Sequence, residues 1–137
     1  MSQTAIRRVL LLTSDMGFGH RSAARAVETA LHNRYPGQVE TEIINAFDHK
    51  SVPGWLKEDP SNYNRMVREH PEFYQKGYQA LNKPLPTTVY EMGLTVILGE
   101  AVSDIVKQVA PDVIVATHPN YLAPIKALRT LRGYRVP

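Results

Sequence analysis

Cysteine is absent from the 137 residues. Disulfides and thiolate-held metal or redox centres are therefore excluded, and the usage fits a reducing compartment. Long apolar runs are lacking as well. The first one, Val9-Leu10-Leu11-Leu12, leads straight into polar residues. It is too short for a secretory leader, and no stretch approaches the roughly 20 apolar residues of a membrane span. Any membrane contact predicted from the sequence is peripheral. A strong charge of either sign is missing too: the net charge is +3. No Lys/Arg cluster forms, which argues against a nucleic-acid partner. Acids are absent after Asp112, whereas Lys126, Arg129, Arg132 and Arg135 recur at a spacing of three. That spacing predicts a basic stripe on one helix face. The stripe is either a solvated surface or one that meets anionic lipid or phosphate.

What is present suits one soluble domain. Hydrophobic residues make up 43% and charged residues 21%, the balance of a chain that builds an ordinary core. Ile6 to Thr13 reads as a strand buried on both faces, because its apolar residues are consecutive. A helix is predicted from about His20 to Arg34, with Ala23, Val27, Ala30 and Leu31 on its inner face, and Tyr35-Pro36-Gly37 ends it. Val39 to Asn45 alternates polar and apolar residues, as a strand near a sheet edge does.

The stretch from Ala46 to Pro86 is rich in proline and aromatics. Short helices are predicted from about Asp59 to Glu69 and from about Pro71 to Leu81. A long helix follows from about Thr87 to Val109, apolar over a wide arc and hence predicted to be well buried, with Gly93 and Gly99 placed for close backbone approach. Val113-Ile114-Val115-Ala116 reads as a third buried strand, Tyr121 to Leu131 as a helix stopped by Gly133, and Tyr134 to Pro137 as the start of another strand. Strands alternating with helices predict an α/β fold: a parallel sheet with helices on both faces. An alternating pattern that stops mid-unit predicts a fragment of a longer product.

Ligands of such sheets sit beyond the carboxyl ends of the strands. Those ends are Ser14 to His20 and Thr117 to Asn120, so both loops are predicted to face one crevice. Gly17-Phe18-Gly19 allows a sharp turn with exposed amides at a helix mouth, a setting for an anion or polar ligand. It is not a dinucleotide fingerprint, because Ser22 stands at the third glycine position. His20 sits at that mouth, where the helix dipole disfavours an imidazolium and a neutral ring can accept a hydroxyl proton. A capping or core histidine is the alternative. Asp15 either orients an imidazole or stabilises the turn. His118 and Asn120 are candidates for the opposite wall, and Pro119 favours an extended backbone and an outward His118 side chain. No third ligand accompanies His20 and His118, so no metal is expected.

Trp55, Leu56, Tyr63, Met66, Phe73, Tyr74 and Tyr78 lie among Lys57, Arg65, Arg68, Lys76 and Lys83. Such a mixture suits a lipid interface or a packed helical insert. Trp55, Tyr63 and Tyr74 are the residues singled out for membrane or acceptor contact, Trp55 because Pro53-Gly54-Trp55-Leu56 reads as a loop tip.

The run Leu11 to Ala23, with Ser14-Asp15-Met16-Gly17-Phe18-Gly19-His20-Arg21 at its centre, resembles the N-terminal motif of the monogalactosyldiacylglycerol synthase and processive diacylglycerol glucosyltransferase family. Asn62-Tyr63-Asn64 through His70-Pro71 and Asp112 to Pro119 follow in the family's order and spacing. The resemblance implies an inverting GT-B glycosyltransferase built from two Rossmann-like domains. Residues 1–137 would be the N-terminal acceptor domain with a helical aromatic insert around 48–88, and the C-terminal donor domain is missing. It implies His20 as the base for the hydroxyl of diacylglycerol, Gly17 and Gly19 as the loop shaping the cleft, and a UDP-sugar as donor substrate with no metal or other cofactor. Diacylglycerol, anionic membrane lipid and the protein's own donor domain are the implied partners, at the cytoplasmic face of a membrane. A phosphate- or nucleotide-binding module without catalysis, and a transferase acting on a lipid-linked cell-wall intermediate, are the alternatives.

Overall fold

The computed structural model describes residues 5–54, 57, 61, 65, 68–72, 75–76, 79 and 84–137. Among them, β1 (Arg7–Thr13) runs into α1 (Phe18–Arg34), then β2 (Val39–Asn45), α2 (Pro84–Val109), β3 (Val113–Ala116) and α3 (Leu122–Arg132). The strands form one parallel sheet in the order β2-β1-β3.

The consecutive apolar residues of β1 split by the pleat of the strand. Leu10 and Leu12 point to the face covered by α2 and α3, where Leu98, Val102, Ile105, Val106, Tyr121 and Leu128 close the main core. Val9 and Leu11 point to the other face, against Ala24, Val27 and Leu31 of α1. The sheet is therefore covered on both sides, as a central parallel strand requires. β2 lies at the edge, with exposed Glu40 and Glu42, as its alternation predicts.

Several local expectations are corrected. The buried face of α1 keeps Val27 and Leu31 as predicted, but its alanine is Ala24, while Ala23 and Ala30 are exposed. β3 is half-buried, not fully buried. α2 is not buried along its length, since Val89, Met92 and Val96 are exposed, Val96 by 82%. The reason is length. A helix of 26 residues spans roughly 39 Å, whereas the seven residues of β1 span roughly 23 Å. Only the C-terminal part of α2 can lie on the sheet. Among the described residues Gly93 and Gly99 serve no close approach: a Cβ on either would meet nothing within 4 Å. The basic stripe is cut short, because Gly133 takes a left-handed φ of 65° and ends α3 at Arg132, which leaves Arg135 off the helix. Where another strand is predicted to start, the Ile114 N–H donates to the Pro137 carbonyl at 2.7 Å.

The C-terminal end of α2 stores strain. Ala110 has a φ of +46°, a left-handed conformation that costs an L-residue about 1 kcal/mol and suits glycine. Its N–H donates to the Val106 carbonyl at 2.9 Å and closes the helix. Ala110→Gly is expected to raise the melting temperature by roughly 3 °C, measured by thermal unfolding. A lower melting temperature would show that the residue is not held there.

Candidate active site

β1 goes to β2 on one side, and the chain then crosses to β3 on the other side of β1. This reversal makes the carboxyl ends of β1 and β3 a topological switch point, where open α/β sheets form their crevice. The two polar loops meet there as the sequence predicts. Gly17 takes φ 72° and ψ 142°, a region open essentially to glycine alone, and this lets the chain turn from Ser14 into α1. Gly17 has no side chain to cap α1, and no acid sits in its first turn. A Cβ on Gly19 would meet nothing within 4 Å, so that position is open space.

His20 Nδ1 lies 2.7 Å from the Thr117 carbonyl oxygen, across 97 residues of sequence. A carbonyl can only accept, so Nδ1 carries the hydrogen and the neutral ring presents its lone pair at Nε2. The loop after β3 thus sets the tautomer of the histidine before α1. Among the described residues Nε2 has no hydrogen-bond partner, and no side-chain nitrogen or oxygen is both buried and unpartnered. Nε2 therefore opens to solvent.

His118 is extended, with φ −127° and ψ 134°, as a residue before proline should be. Its side chain is not turned outward. Nδ1 accepts the Asn120 N–H at 3.1 Å and caps the short 3-10 turn Pro119–Tyr121. The ring meets that of His20 edge-on, with centroids 4.3 Å apart at 64°, and Phe47 flanks it at 6.4 Å. Burial, and then the neighbouring His20, push its pKa down to about 4. The unfolded chain thus binds more protons than the folded one between about pH 4 and 6.5. His118 contributes its full stability above pH 6.5 and loses it as pH falls through 4. In melting curves from pH 7 to 4, wild type is expected to lose stability relative to His118→Asn; a constant gap would contradict the shift.

Asp15 does not orient the imidazole. Its carboxylate pairs with the Arg21 guanidinium, Nη2 to Oδ2 at 2.9 Å, and accepts from Asn45 Nδ2 at 3.2 Å. The Arg21 hydrogen bonds hold its pKa below the usual carboxylate range. Asp15 therefore ties the glycine loop to the end of β2. Phe18 is described by its backbone alone, as the first residue of α1. Trp55, Tyr63 and Tyr74 lie outside the described residues. So does most of the two short helices predicted before Pro84, though Ser61, Arg65, Arg68, Glu69, Gln75, Lys76 and Gln79 are helical.

Two residues of the site carry no functional expectation from the sequence. Thr117 supplies the carbonyl for His20, and its hydroxyl donates to the His20 carbonyl at 3.0 Å. Tyr121 is fully buried. Its hydroxyl donates to the Thr13 carbonyl at 2.6 Å and accepts the Ala46 N–H at 3.0 Å, joining the ends of β1 and β2 beneath the histidines. The Thr-His-Pro-Asn-Tyr run marks a turn opening a helix; nothing local in it shows which strand ends it reaches.

Open concavities also lie elsewhere among the described residues. One of about 430 Å³ runs along Arg8, Glu40 and Glu42, and one of about 460 Å³ lies between α2 and α3. Neither is lined by a histidine nor sits at the switch point, where the two imidazoles are.

Fold and cleft together define a Rossmann-like α/β half-domain with paired imidazoles at its switch point. A family model described as monogalactosyldiacylglycerol (MGDG) synthase matches residues 20–137, and the chain belongs to that family. The chloroplastic monogalactosyldiacylglycerol synthase of Spinacia oleracea is 27% identical over 127 residues, 93% of this chain and 24% of that protein. Monogalactosyldiacylglycerol synthase 1, chloroplastic, of Arabidopsis thaliana is 28% identical over 130 residues, 90% of this chain and 23% of that protein. The chain thus spans about a quarter of the length of these relatives. No solved structure matches it. Among the described residues no helix is long and apolar enough to cross a membrane.

Proposed function

We propose that this chain is the acceptor-binding half of an inverting GT-B glycosyltransferase that moves galactose or glucose from a UDP-sugar to diacylglycerol. The observation that carries the reading is the His20 ring, held through Nδ1 by the Thr117 carbonyl with Nε2 open to the crevice. His20 takes the proton of the acceptor hydroxyl at Nε2 while the hydroxyl oxygen attacks the anomeric carbon and the diphosphate departs from the opposite face. Gly17, Phe18 and Gly19 shape the crevice, and Asp15 fixes the loop. The start of α1, where Gly17 offers no side-chain cap, favours negative charge developing nearby through the helix dipole. A further domain binds the UDP-sugar. Peripheral contact with anionic membrane lipid, through the segment holding Trp55, Tyr63 and Tyr74, brings the acceptor to the crevice. Family membership and the relatives' printed names support the sugar and lipid classes.

The test is transfer by the full-length protein from UDP-galactose and UDP-glucose to diacylglycerol in anionic vesicles, with the anomer of the product determined. A β-linked hexosyl diacylglycerol from one donor is expected. A folded protein that transfers neither sugar would leave only a binding module.

A further inference from the structure

The two imidazoles of the crevice are fixed with opposite hydrogen-bonding polarity, and one loop fixes both. The Thr117 carbonyl takes the Nδ1 hydrogen of His20, which leaves a lone pair at Nε2. Three residues on, the Asn120 N–H occupies the Nδ1 lone pair of His118, so the hydrogen of that neutral ring is on Nε2. Neither Nε2 has a hydrogen-bond partner among the described residues, and neither is buried without one. With the ring centroids 4.3 Å apart, the crevice offers one acceptor and one donor side by side.

That pair matches an alcohol, which donates once and accepts through two lone pairs. We propose that His118 is a second substrate-contacting residue, whose Nε2–H holds the acceptor hydroxyl by its oxygen while His20 Nε2 receives the hydroxyl hydrogen. This rests on the transferase reading above. Each valence of the hydroxyl oxygen then has a destination. One lone pair is held by His118, and the O–H bond breaks toward His20. The other lone pair forms the bond to the anomeric carbon as the bond from that carbon to the diphosphate oxygen breaks, its electron pair leaving with the diphosphate. His118 stays neutral throughout and gains no proton, so the imidazolium formed on His20 meets no second charge. His118 thereby selects a hydroxyl acceptor over a group that only donates, such as an ammonium.

The test compares three variants in the full-length protein. Serine and asparagine both accept a backbone N–H at a helix start, so His118→Ser and His118→Asn keep the cap on Asn120. Only asparagine adds an N–H donor with some reach. His118→Ser is expected to lose roughly 100-fold in kcat/KM, mostly in kcat, as misplacement of a reacting group does. His118→Asn is expected to recover at least part of that loss. His118→Ser at wild-type kcat/KM, beside an inactive His20→Ala, overturns the role of His118 and leaves that of His20 standing. Activity in His20→Ala overturns the transferase mechanism itself. A readout independent of transfer is the ring nitrogen spectrum of this chain by ¹⁵N NMR. Hydrogen on His118 Nε2 with a bare Nδ1 at neutral pH is expected. The opposite tautomer overturns the inference whatever the transfer assays show.

Discussion

His20→Ala is expected to lower kcat for sugar transfer by roughly 10²–10⁴-fold, the range over which a positioned general base acts. The neutral acceptor hydroxyl is a poor nucleophile unless its proton has somewhere to go as the bond to the anomeric carbon forms. His20 Nε2 is the open lone pair that the crevice provides, kept in that form by the 2.7 Å bond from Nδ1 to the Thr117 carbonyl. The half-exposed ring belongs to neither core cluster, so the variant should fold. Thr117 would keep its backbone bond to Leu12 at 2.9 Å, and the released carbonyl would meet water. Kinetics of the full-length variant at saturating donor check this, with circular dichroism confirming the fold. Wild-type turnover would remove His20 from the mechanism.

The largest effect on stability is expected from Tyr121→Phe. The ring stays in place among Phe47, Leu12 and Leu98, so no cavity forms. What disappears is a hydroxyl that serves two strand ends at once. The Ala46 N–H and the Thr13 carbonyl are left without it in a buried setting, at a cost of about 1–3 kcal/mol. At roughly 3 °C per kcal/mol for a chain of this size, the melting temperature should fall by several degrees. Activity should fall further than the population of folded protein explains, because the ends of β1 and β2 set the crevice floor. An unchanged melting temperature would mean that water replaces the hydroxyl at no cost.

Much of this was legible in the residues because the signals are local. Four consecutive apolar residues, too few for a buried helix and followed by a glycine turn, read as a strand buried on both faces, and a glycine at position 17 fits the positive φ found there. The alternation of Val39 to Asn45 marks an edge because its exposed face must be polar. Where the reading failed, the deciding contact was distant or made by the backbone. Any residue type at position 117 supplies the same carbonyl to His20, so no side chain announces it. Asp15 is the obvious acid beside a histidine, yet Arg21, one turn along α1, competes for it with a full positive charge. On α1, Val27 and Leu31 mark the inner face correctly, but Ala24 rather than Ala23 joins them, because alanines at 23, 24, 26 and 30 offer several equivalent stripes. The exposure of Val89, Met92 and Val96 depends on how far α2 outruns the sheet, a comparison of lengths that no window of sequence contains.

A ¹⁵N NMR spectrum of the histidine rings at neutral pH reads out whether the strand-end loops hold His20 with its lone pair at Nε2. A His20 ring with its hydrogen on Nδ1 and a bare Nε2 is expected, and added short-chain diacylglycerol should shift the Nε2 signals of His20 and His118 but neither Nδ1. A His20 ring with its hydrogen on Nε2 would rule out His20 as the base, because the nitrogen facing the crevice would then have no lone pair to give.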